Sequence, residues 1–381
     1  MLNKKLLIFT DWYLPGFKAG GPIQSCRNLV EALDQDYSIY VFTSDRDLGD
    51  AGPYPEIETD KWTRLGSIWI FYASPKSWSM QEIKRQVVFV EPDIIHLNSA
   101  FSLNFTIKPL ILFWQKKFSG KLILSPRGML QAGALKYKPI KKRLFLDLLR
   151  LSGLPAKIHF HATDSKEVAD IKKHFPRNAS IHLAENFPNF SMPVLRSIVK
   201  TPGQLELLYL ARISPIKNLS FVLELLMKCQ GTGKIRFTIA GKVEDERYWQ
   251  KCAELIRSLP GNVEVVIHGT VEHAEVLNFL QSFHYYILPT FGENFGHGIF
   301  EALLAARPVI ISDQTPWRGL ESKGLGWDIP LDQPGAFIQV ISHAIDLDQS
   351  EFDQLSARCH QFALDYRTNN ETRNKYIELY G

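Results

Sequence analysis

The sequence has few cysteines, no long apolar run and little net charge, and each shortage excludes a class of protein. Its four cysteines are scattered through 381 residues without zinc-like spacing, which indicates neither a zinc site nor a disulfide framework. The apolar run Leu6–Phe9 is too short for a signal peptide, and no stretch approaches the about 18 apolar residues of a membrane-spanning helix. A formal net charge of +4 is too small to predict nucleic-acid binding. We expect a cytoplasmic protein, either soluble or held on the inner face of the membrane.

The composition that remains is that of a folded protein with two domains. A chain of 381 residues with 45% hydrophobic residues can build two separate cores. Short apolar runs alternate with helical patterns, which predicts parallel α/β sheets. The interval 186–204 fits neither pattern and contains several prolines, so we place a linker there. The predicted domains are 1–190 and 191–366.

The most informative stretch begins at a short apolar run, Tyr285–Leu288, which predicts a buried strand. A loop over Gly292–Gly298 follows, then apolar residues at helical spacing, then a second strand at Val309–Ile311. The loop therefore lies at the carboxyl end of a strand and the amino end of a helix, where backbone N–H groups are unpaired and the helix dipole is positive. Such a place suits an anion such as a phosphate.

Two glutamates flank this predicted anion site, Glu293 in the loop and Glu301 in the helix. Carboxylates repel phosphate, but they accept hydrogen bonds from hydroxyl groups. A ligand with both phosphates and hydroxyls would satisfy the whole set, and a sugar nucleotide is such a ligand. Taken alone, the pair is also compatible with a polar loop followed by an incidental glutamate.

Two cations follow the strand that opens the second domain. Arg212 and Lys217 come directly after the predicted strand Leu205–Ala211. Ligands of α/β sheets bind beyond the carboxyl ends of the strands, so both cations are expected beside a ligand. Together they would neutralise a diphosphate, the arginine through two parallel hydrogen bonds.

The glutamate spacing, the strand before it, the Glu-Ala dipeptide at Glu301 and the Arg-Pro-Val-Ile end at 307–310 resemble one family signature. It is that of the family 4 retaining glycosyltransferases, in particular the bacterial polysaccharide and lipopolysaccharide enzymes of group 1. The resemblance implies a GT-B fold, in which two Rossmann-like, doubly wound α/β domains face each other across a cleft. The first would be the acceptor side, with 367–381 packing back on it, and the second would bind the nucleotide sugar.

The same resemblance implies an activity and a set of site residues. The activity is transfer of a sugar from a nucleotide-diphospho-sugar to a hydroxyl acceptor, with retention of configuration and without a metal ion or cofactor. Arg212, Lys217 and Glu293 are implied to act in catalysis, the two cations by stabilising the leaving diphosphate. No nucleophile is implied, because the reaction is thought to occur on the front face of the sugar with the leaving phosphate assisting. The implied donor-binding residues are Gly20, Gly21, Arg212, Lys217, Gly269, Thr270, Val271, Glu293, Asn294, Phe295, Gly296 and Glu301.

Three features of the first domain are candidates for ligand contact. The pair Gly20-Gly21 between the first strand and helix permits close backbone approach, although a plain tight turn also explains it. Arg127 follows a strand where many family members have a histidine, and it either contacts acceptor or phosphate or braces the loop. His96 ends another strand and is the second acceptor-side candidate.

A basic segment, Lys136–Arg143, precedes apolar residues at helical spacing. This pattern predicts that 136–149 binds an anionic membrane surface or a lipid-diphosphate acceptor. A solvated helix face is the alternative. The predicted partners are thus a nucleotide sugar and a saccharide or lipid-linked saccharide.

Two other functions stay open. A nucleotide-sugar epimerase or hydrolase on the same fold would use the donor without an acceptor, and a non-catalytic module would only bind it. The presence of Arg212, Lys217, Glu293 and Glu301 together argues against the non-catalytic module.

Overall fold

The computed structural model describes residues 3–135, 139–175, 179–189 and 192–381. The chain divides into two compact units. Unit 1 comprises Met1–Phe187 and Asn370–Gly381, and unit 2 comprises Pro188–Asn369. The domain boundary predicted from the sequence, between 190 and 191, falls on residues outside the described part of the chain.

The described part of unit 1 contains one eight-stranded sheet with helices between its strands. The strands are β1 Lys5–Phe9, β2 Ser38–Ser44, β3 Trp62–Leu65, β4 Ile68–Ala73, β5 Ile94–Leu97, β6 Lys121–Leu124, β7 His159–Ala162 and β8 Ser180–Leu183. The helices are α1 Gly21–Leu33, α2 Met80–Val90, α3 Lys108–Trp114, α4 Ala132–Leu135, α5 Pro139–Leu151 and α6 Ser165–His174. A π-helical turn, Leu103–Ile107, precedes α3.

The sheet order in unit 1 is β3-β4-β2-β1-β5-β6-β7-β8. All neighbouring strands are parallel except the edge pair β3 and β4. The central strands are buried on both faces, as Leu6–Phe9 in β1 shows, because helices cover both sides of a parallel sheet. The strand order reverses direction between β1 and β5, and such a switch point leaves a crevice at the carboxyl edge of the sheet.

Unit 2 repeats this plan with six parallel strands in its described part, in the order β11-β10-β9-β12-β13-β14. Its strands are β9 Gln204–Leu210, β10 Lys234–Ala240, β11 Val263–Gly269, β12 Tyr285–Leu288, β13 Val309–Ser312 and β14 Gly326–Ile329. Its helices are α7 Leu219–Leu226, α8 Glu246–Arg257, α9 Val276–Leu280, α10 His297–Leu304, α11 Leu320–Lys323, α12 Pro334–Asp346 and α13 Gln349–Thr368. The order reverses between β9 and β12, which are the strands that the two predicted charged motifs follow.

A last helix, α14 Glu371–Tyr380, follows unit 2 in the chain but belongs to unit 1. Tyr376, Leu379 and Tyr380 on this helix are buried. The sequence predicted a helix here and its return to the first domain. None of the described helices of the chain is long and apolar enough to cross a membrane.

A chain of buried hydrogen bonds joins α14 to the interior of unit 1. The Tyr380 hydroxyl lies 2.7 Å from His96 Nδ1, and His96 Nε2 lies 2.5 Å from Ser125 Oγ. Ser125 Oγ lies 2.7 Å from His161 Nδ1, and His161 Nε2 lies 2.8 Å from the carbonyl oxygen of Ala184. A carbonyl oxygen only accepts, so His161 Nε2 carries the proton and each earlier hydroxyl or ring nitrogen in the chain donates towards Ala184.

Both histidines of this chain are therefore neutral. Burial, together with the neighbouring His161 and Arg127, holds the pKa of His96 well below its ordinary value. Burial lowers the pKa of His161 to about 3. A second proton on either ring would bind to Nδ1, which already accepts a hydrogen bond from a hydroxyl group. The hydrogen-bond chain therefore requires both rings to stay uncharged.

Two short strands differ from the sequence expectation. The strand β3, which pairs antiparallel with β4, was not predicted. The strand β8 was not predicted. Both are edge strands, half-exposed and four residues long, and so they carry no apolar run.

Candidate functional site

The β9 loop, residues 211–218, carries the two predicted cations and is held by backbone hydrogen bonds on both sides. Ile213 N donates to Lys242 O at 2.8 Å, on the side of β10. Phe291 N donates to Ile216 O at 2.8 Å, on the side of β12. The loop is thus clamped at the switch point of the sheet, where α/β folds bind ligands.

Gly241, directly after β10, makes the close approach of these loops possible. Its φ of 139° lies in a region that side chains disfavour, and a Cβ there would lie 1.9 Å from the Ala211 carbonyl oxygen. Gly241 N also donates to Gly269 O at 2.6 Å, at the end of β11. The backbone that carries Arg212 is therefore fixed by a position that only glycine can fill.

Each predicted cation has a carboxylate partner. Arg212 Nη1 lies 2.6 Å from Glu244 Oε1, with both side chains about two-fifths exposed. Lys217 Nζ pairs with Glu293 Oε1, and both side chains are largely buried. Sequence reasoning placed Lys217 on the diphosphate and Glu293 on a hydroxyl group of the ligand, and the structure brings the two side chains into direct contact. It did not single out Glu244, which lies in a different loop.

Glu301 lies on α10, just over one turn after its N-cap Gly296, and its side chain is almost fully buried. Asn189 Nδ2 donates to Glu301 Oε1 at 3.2 Å. His273 Nδ1 lies 3.9 Å from the same oxygen. His273 follows the implied donor-binding residues Gly269–Val271, so the structure brings the end of β11 to Glu301. Neither Asn189 nor His273 was singled out from the sequence.

Both glutamates act electrostatically on the buried hydroxyl of Tyr286. Burial and then the negative charges of Glu293 and Glu301 hold the pKa of Tyr286 well above its ordinary value. This hydroxyl donates to Leu210 O at 3.1 Å, which joins β12 to the end of β9. A Cβ on Gly298 would lie 2.9 Å from the same hydroxyl oxygen, so glycine at the start of α10 keeps the helix close to the sheet.

The remaining donor-binding candidates of unit 2 lie in the loops after β11 and β12 and at the start of α10. Phe295 is buried, and its carbonyl oxygen accepts from Trp317 Nε1 at 2.5 Å. Gly296 has a φ of 79°, where glycine is preferred, and starts α10. Asn294 and Thr270 lie in the loops beside them, Asn294 half-buried and Thr270 exposed. The N–H groups at the start of α10 remain the element best suited to an anion.

In unit 1, Gly20 has a φ of 64° as the N-cap of α1, and Gly21 is the first residue of that helix. Arg127 also has a positive φ, and its Nε donates to Asn98 Oδ1 at 2.7 Å. Arg127 Nη1 donates to Asn186 Oδ1, so this arginine braces two loops. Its Nη2 is buried and has no hydrogen-bond partner in the described part of the chain.

His96 does not fit the acceptor contact predicted for it. The residue is fully buried, and both of its ring nitrogens bond to Tyr380 and Ser125 inside the sheet. Its position at a strand end suggested an outward side chain, but the alternation of the strand turns the ring into the core. Asp11, which follows β1 at the switch point of unit 1, was not singled out from the sequence. Asp11 is only partly exposed, accepts from Ser102 Oγ at 2.6 Å, and has a pKa raised by burial.

Among the described residues, no group of three or more histidine, cysteine, aspartate or glutamate side chains could hold a metal ion. The four cysteines are all buried and not joined in disulfides.

Residues 195–359 match the family model of the glycosyl transferases of group 1. These residues form a group 1 glycosyl transferase domain. The domain includes both charged motifs of unit 2 and confirms the predictions that the chain is a glycosyltransferase and resembles the group 1 enzymes. A search of curated proteins found no match.

Solved structures with the same fold align with this glycosyltransferase over nearly its full length. Sucrose-phosphate synthase from Thermosynechococcus elongatus is 14% identical, with a TM-score of 0.72, and the alignment covers 99% of this chain and 98% of that chain. HepE of Anabaena in complex with UDP-glucose is 13% identical, with a TM-score of 0.70 and 98% of both chains covered. WaaG, a glycosyltransferase involved in lipopolysaccharide biosynthesis, is 11% identical, with a TM-score of 0.66 and coverage of 99% and 100%. At these identities the likeness shows the fold, and it confirms the predicted GT-B fold.

Proposed function

We propose that this glycosyltransferase moves a sugar from a nucleotide-diphospho-sugar to a hydroxyl acceptor with retention of anomeric configuration. The observation that carries the proposal is the convergence of Arg212, Lys217, Glu293 and Glu301 on the loops and the helix α10 that flank one switch point, between β9 and β12. Cations and carboxylates together match a ligand that has both a diphosphate and hydroxyl groups. UDP-glucose bound to HepE, which shares the fold, is a ligand of this chemical class.

In this proposal the diphosphate lies against the β9 loop and the start of α10. Arg212, Lys217 and the first N–H groups of α10 stabilise the negative charge that grows on the leaving diphosphate. The Ser214 hydroxyl, buried in the same loop and without a partner in the described part of the chain, is a further donor for it. Glu301 accepts a hydrogen bond from a ribose hydroxyl, and Glu293 from the sugar.

We also propose that no metal ion takes part, because the two cations and the helix start supply the charge that a metal ion would otherwise supply. Activity is then expected to persist in EDTA. Loss of turnover on chelation, restored by magnesium or manganese, would contradict the proposal. Thermal unfolding with and without EDTA is the control, because a structural ion would change stability as well.

The acceptor is proposed to be a saccharide or lipid-linked saccharide of a cell-surface polysaccharide. WaaG, which shares the fold, is described as a lipopolysaccharide enzyme. In unit 1, the Asp11 carboxylate at the switch point is suited to accept a hydrogen bond from an acceptor hydroxyl, and Arg127, after β6, has a buried Nη2 without a hydrogen-bond partner in the described part of the chain. These two residues replace His96 as candidates for the acceptor side.

The experiment that tests the proposed function has two stages. A panel of nucleoside diphosphates scored by thermal shift identifies the base, because a ligand of the folded state raises the melting temperature. Radiolabelled donors of that base are then incubated with and without lipid-linked saccharide extracts. Transfer of label that needs the extract supports a transferase. Donor consumption without any extract would indicate an epimerase or hydrolase, and binding without turnover would indicate a non-catalytic module.

A further inference from the structure

The strand β11 forms one edge of the sheet in unit 2 and is longer than the other sheet edges that the structure describes. It has seven residues, Val263–Gly269, whereas the edge strands β3, β8 and β14 have four each. An edge strand leaves backbone N–H and C=O groups without a ladder partner, and proteins usually keep it short or place lysine or proline on it. The strand β11 contains no lysine, arginine or proline, and Glu264 is its single carboxylate. It therefore lacks the usual protections against pairing with another strand.

Water reaches apolar side chains along this edge. Ile267 is 58% exposed, and Val265 and Val266 are partly exposed. In the central strand β12 of the same sheet, by contrast, every residue is buried. A further strand along β11 would cover these apolar side chains and pair the outward backbone groups at the same time.

Val265 and Ile267 are the residues of β11 that turn their backbone groups outward. Ile235 N on β10 donates to Asn262 O at 2.9 Å, directly before β11 begins. Along a parallel strand the backbone groups point alternately to one side and to the other, so those of Glu264 also point to β10. The register between β10 and β11 shifts only after Ile267. Val265 and Ile267 can therefore each exchange two hydrogen bonds with an antiparallel strand.

We propose that β11 pairs antiparallel with β11 of a second copy of the chain, with Val266 on the two-fold axis. Val265 of each copy then lies opposite Ile267 of the other, and each of these two symmetric pairs exchanges both N–H···O bonds. Glu264 of each copy lies opposite His268 of the other, on the face that also carries Val266. The two sheets become one continuous sheet.

The side chains of β11 favour both this register and this partner. The carboxylate of Glu264 and the imidazole of His268 are both exposed, and Glu264 Oε1 lies 3.8 Å from Arg236 Nε. In the proposed register this carboxylate accepts a hydrogen bond from the imidazole of the other copy. Moving the axis by one residue would place Glu264 opposite Val266 or Thr270 instead. The strand is thus complementary to itself, as a two-fold interface requires.

The pairing reaches the segment that the family resemblance implies for donor binding. Gly269 is the last residue of β11 and the first of the implied donor-binding residues Gly269–Val271. Pairing along β11 therefore holds the chain directly before this segment from the side opposite β10. The inference does not rest on the proposed donor or acceptor, because its tests measure association of the chain with itself.

The test is sedimentation velocity of the full-length protein over a wide range of concentration, and we expect a dimer whose fraction rises with concentration. Ile267→Lys should weaken the dimer at least about tenfold, because it brings a cation to the edge and removes an apolar contact. Glu264→Lys and His268→Glu should each weaken it about tenfold, because each removes a favourable cross-strand pair that occurs twice in the dimer. The double variant Glu264→Lys with His268→Glu places opposite charges across from each other again, and should recover the original affinity to within about threefold.

Leu65→Lys is the matched control, since Leu65 is 50% exposed and lies on the edge strand β3 of unit 1. It should leave the dimer unchanged, and thermal unfolding checks that every variant is folded. Hydrogen exchange of the original protein is a second readout, because the amides of Val265 and Ile267 should become more protected as its concentration rises.

A monomer at every concentration would leave the edge to water or to an unrelated protein, and it would overturn the proposal. So would unchanged exchange of the two amides, an effect of Leu65→Lys as large as that of Ile267→Lys, or a folded double variant that associates as weakly as the two single variants.

Discussion

The two sheets of this glycosyltransferase have the same strand order around their switch points, but different side chains lie at their carboxyl edges. In unit 2 the edge carries charged pairs, Lys217 with Glu293 and Arg212 with Glu244, on loops clamped to each other. In unit 1 the matching strands bury a neutral hydrogen-bond chain through His96 and His161, and Asp11 and Arg127 are charged residues that follow β1 and β6. The fold supplies the crevice in both units, and the side chains at the strand ends decide its chemistry.

The largest effect is expected from removing the cations of unit 2. Arg212→Ala and Lys217→Ala should each lower kcat by about two orders of magnitude or more, because charge stabilisation of the leaving group is lost. Steady-state kinetics with the identified donor measures this. Melting temperatures should change little for Arg212→Ala, because its pair with Glu244 is exposed. Turnover close to that of the original protein in both variants would contradict the proposed catalytic site in unit 2.

The two glutamates are expected to separate binding from turnover. Glu301→Gln should weaken the nucleoside diphosphate about tenfold to a hundredfold, because a hydrogen bond between its carboxylate and the ribose is worth about 1.5–3 kcal/mol. Glu293→Gln should lower turnover and leave that affinity nearly unchanged, because its contact is to the sugar. Isothermal titration calorimetry on both variants decides this.

The ion pair of Glu293 with Lys217 makes a double variant informative. If Glu293 acts only by placing Lys217, then Glu293→Gln in a Lys217→Ala background should have no further effect on turnover. If Glu293 contacts the sugar, the second change should lower turnover again. A loss of nucleotide affinity in Glu293→Gln as large as in Glu301→Gln would show that the sugar has been placed wrongly.

The two units are also expected to respond differently to acid. His96 and His161 in unit 1, and His284 in unit 2, have pKa values lowered by burial, to about 3 for His161 and about 4 for His284. Unfolding releases each ring to its ordinary pKa near 6.5, so the unfolded state binds more protons below that pH. The stability from these rings is therefore complete above about pH 6.5 and falls by up to about 1.4 kcal/mol per pH unit and per histidine as the pH drops.

In unit 1 burial also lowers the pKa of the less buried His159, His174 and His182. Among the residues the structure describes, these histidines outnumber His284 of unit 2, which predicts that unit 1 loses stability faster than unit 2 between pH 6.5 and 4. Hydrogen-exchange protection of amides in β5 and in β12, compared at pH 7 and pH 5, measures the difference. The variant His161→Gln should flatten the response of β5 and leave that of β12 unchanged. An equal loss of protection in both strands would contradict the role given to the neutral chain.

The smallest effect concerns Glu244. Glu244→Gln should tighten binding of a nucleoside diphosphate, because Arg212 no longer has to break its ion pair with Glu244 in order to contact the ligand. The gain is a factor of up to about five, since an exposed ion pair is worth at most about 1 kcal/mol. Calorimetry at low salt is the measurement, and Glu246→Gln, on the next helix, is the control. Weaker binding in Glu244→Gln would indicate that Glu244 itself contacts the ligand.

Much of the fold could be predicted because its parallel strands are buried on both faces. The strand Tyr285–Leu288 has the bounds that its apolar run indicated. The edge strands β3 and β8 could not be predicted, since an exposed edge needs no apolar run.

The candidate site divides in the same way. Arg212 and Glu301 could be identified because each follows a recognisable strand in the same stretch of sequence, so the sequence alone defines its position relative to the strand end. Their partners Glu244 and His273 were not, because each belongs to a different loop and only the order of strands in the sheet brings it near. For His96 the strand position was right, and the side chain turned inward instead of outward.

The place of α14 in unit 1 has a consequence for how the protein is made. The ribosome must synthesise all of Pro188–Asn369 before it reaches the segment that supplies Tyr380 to the buried chain of unit 1. At about 5–20 residues per second, the first sheet waits on the order of ten to forty seconds for that residue. During this interval the nascent unit 1 lacks one of its buried helices, and it is then that a chaperone has an apolar surface to bind.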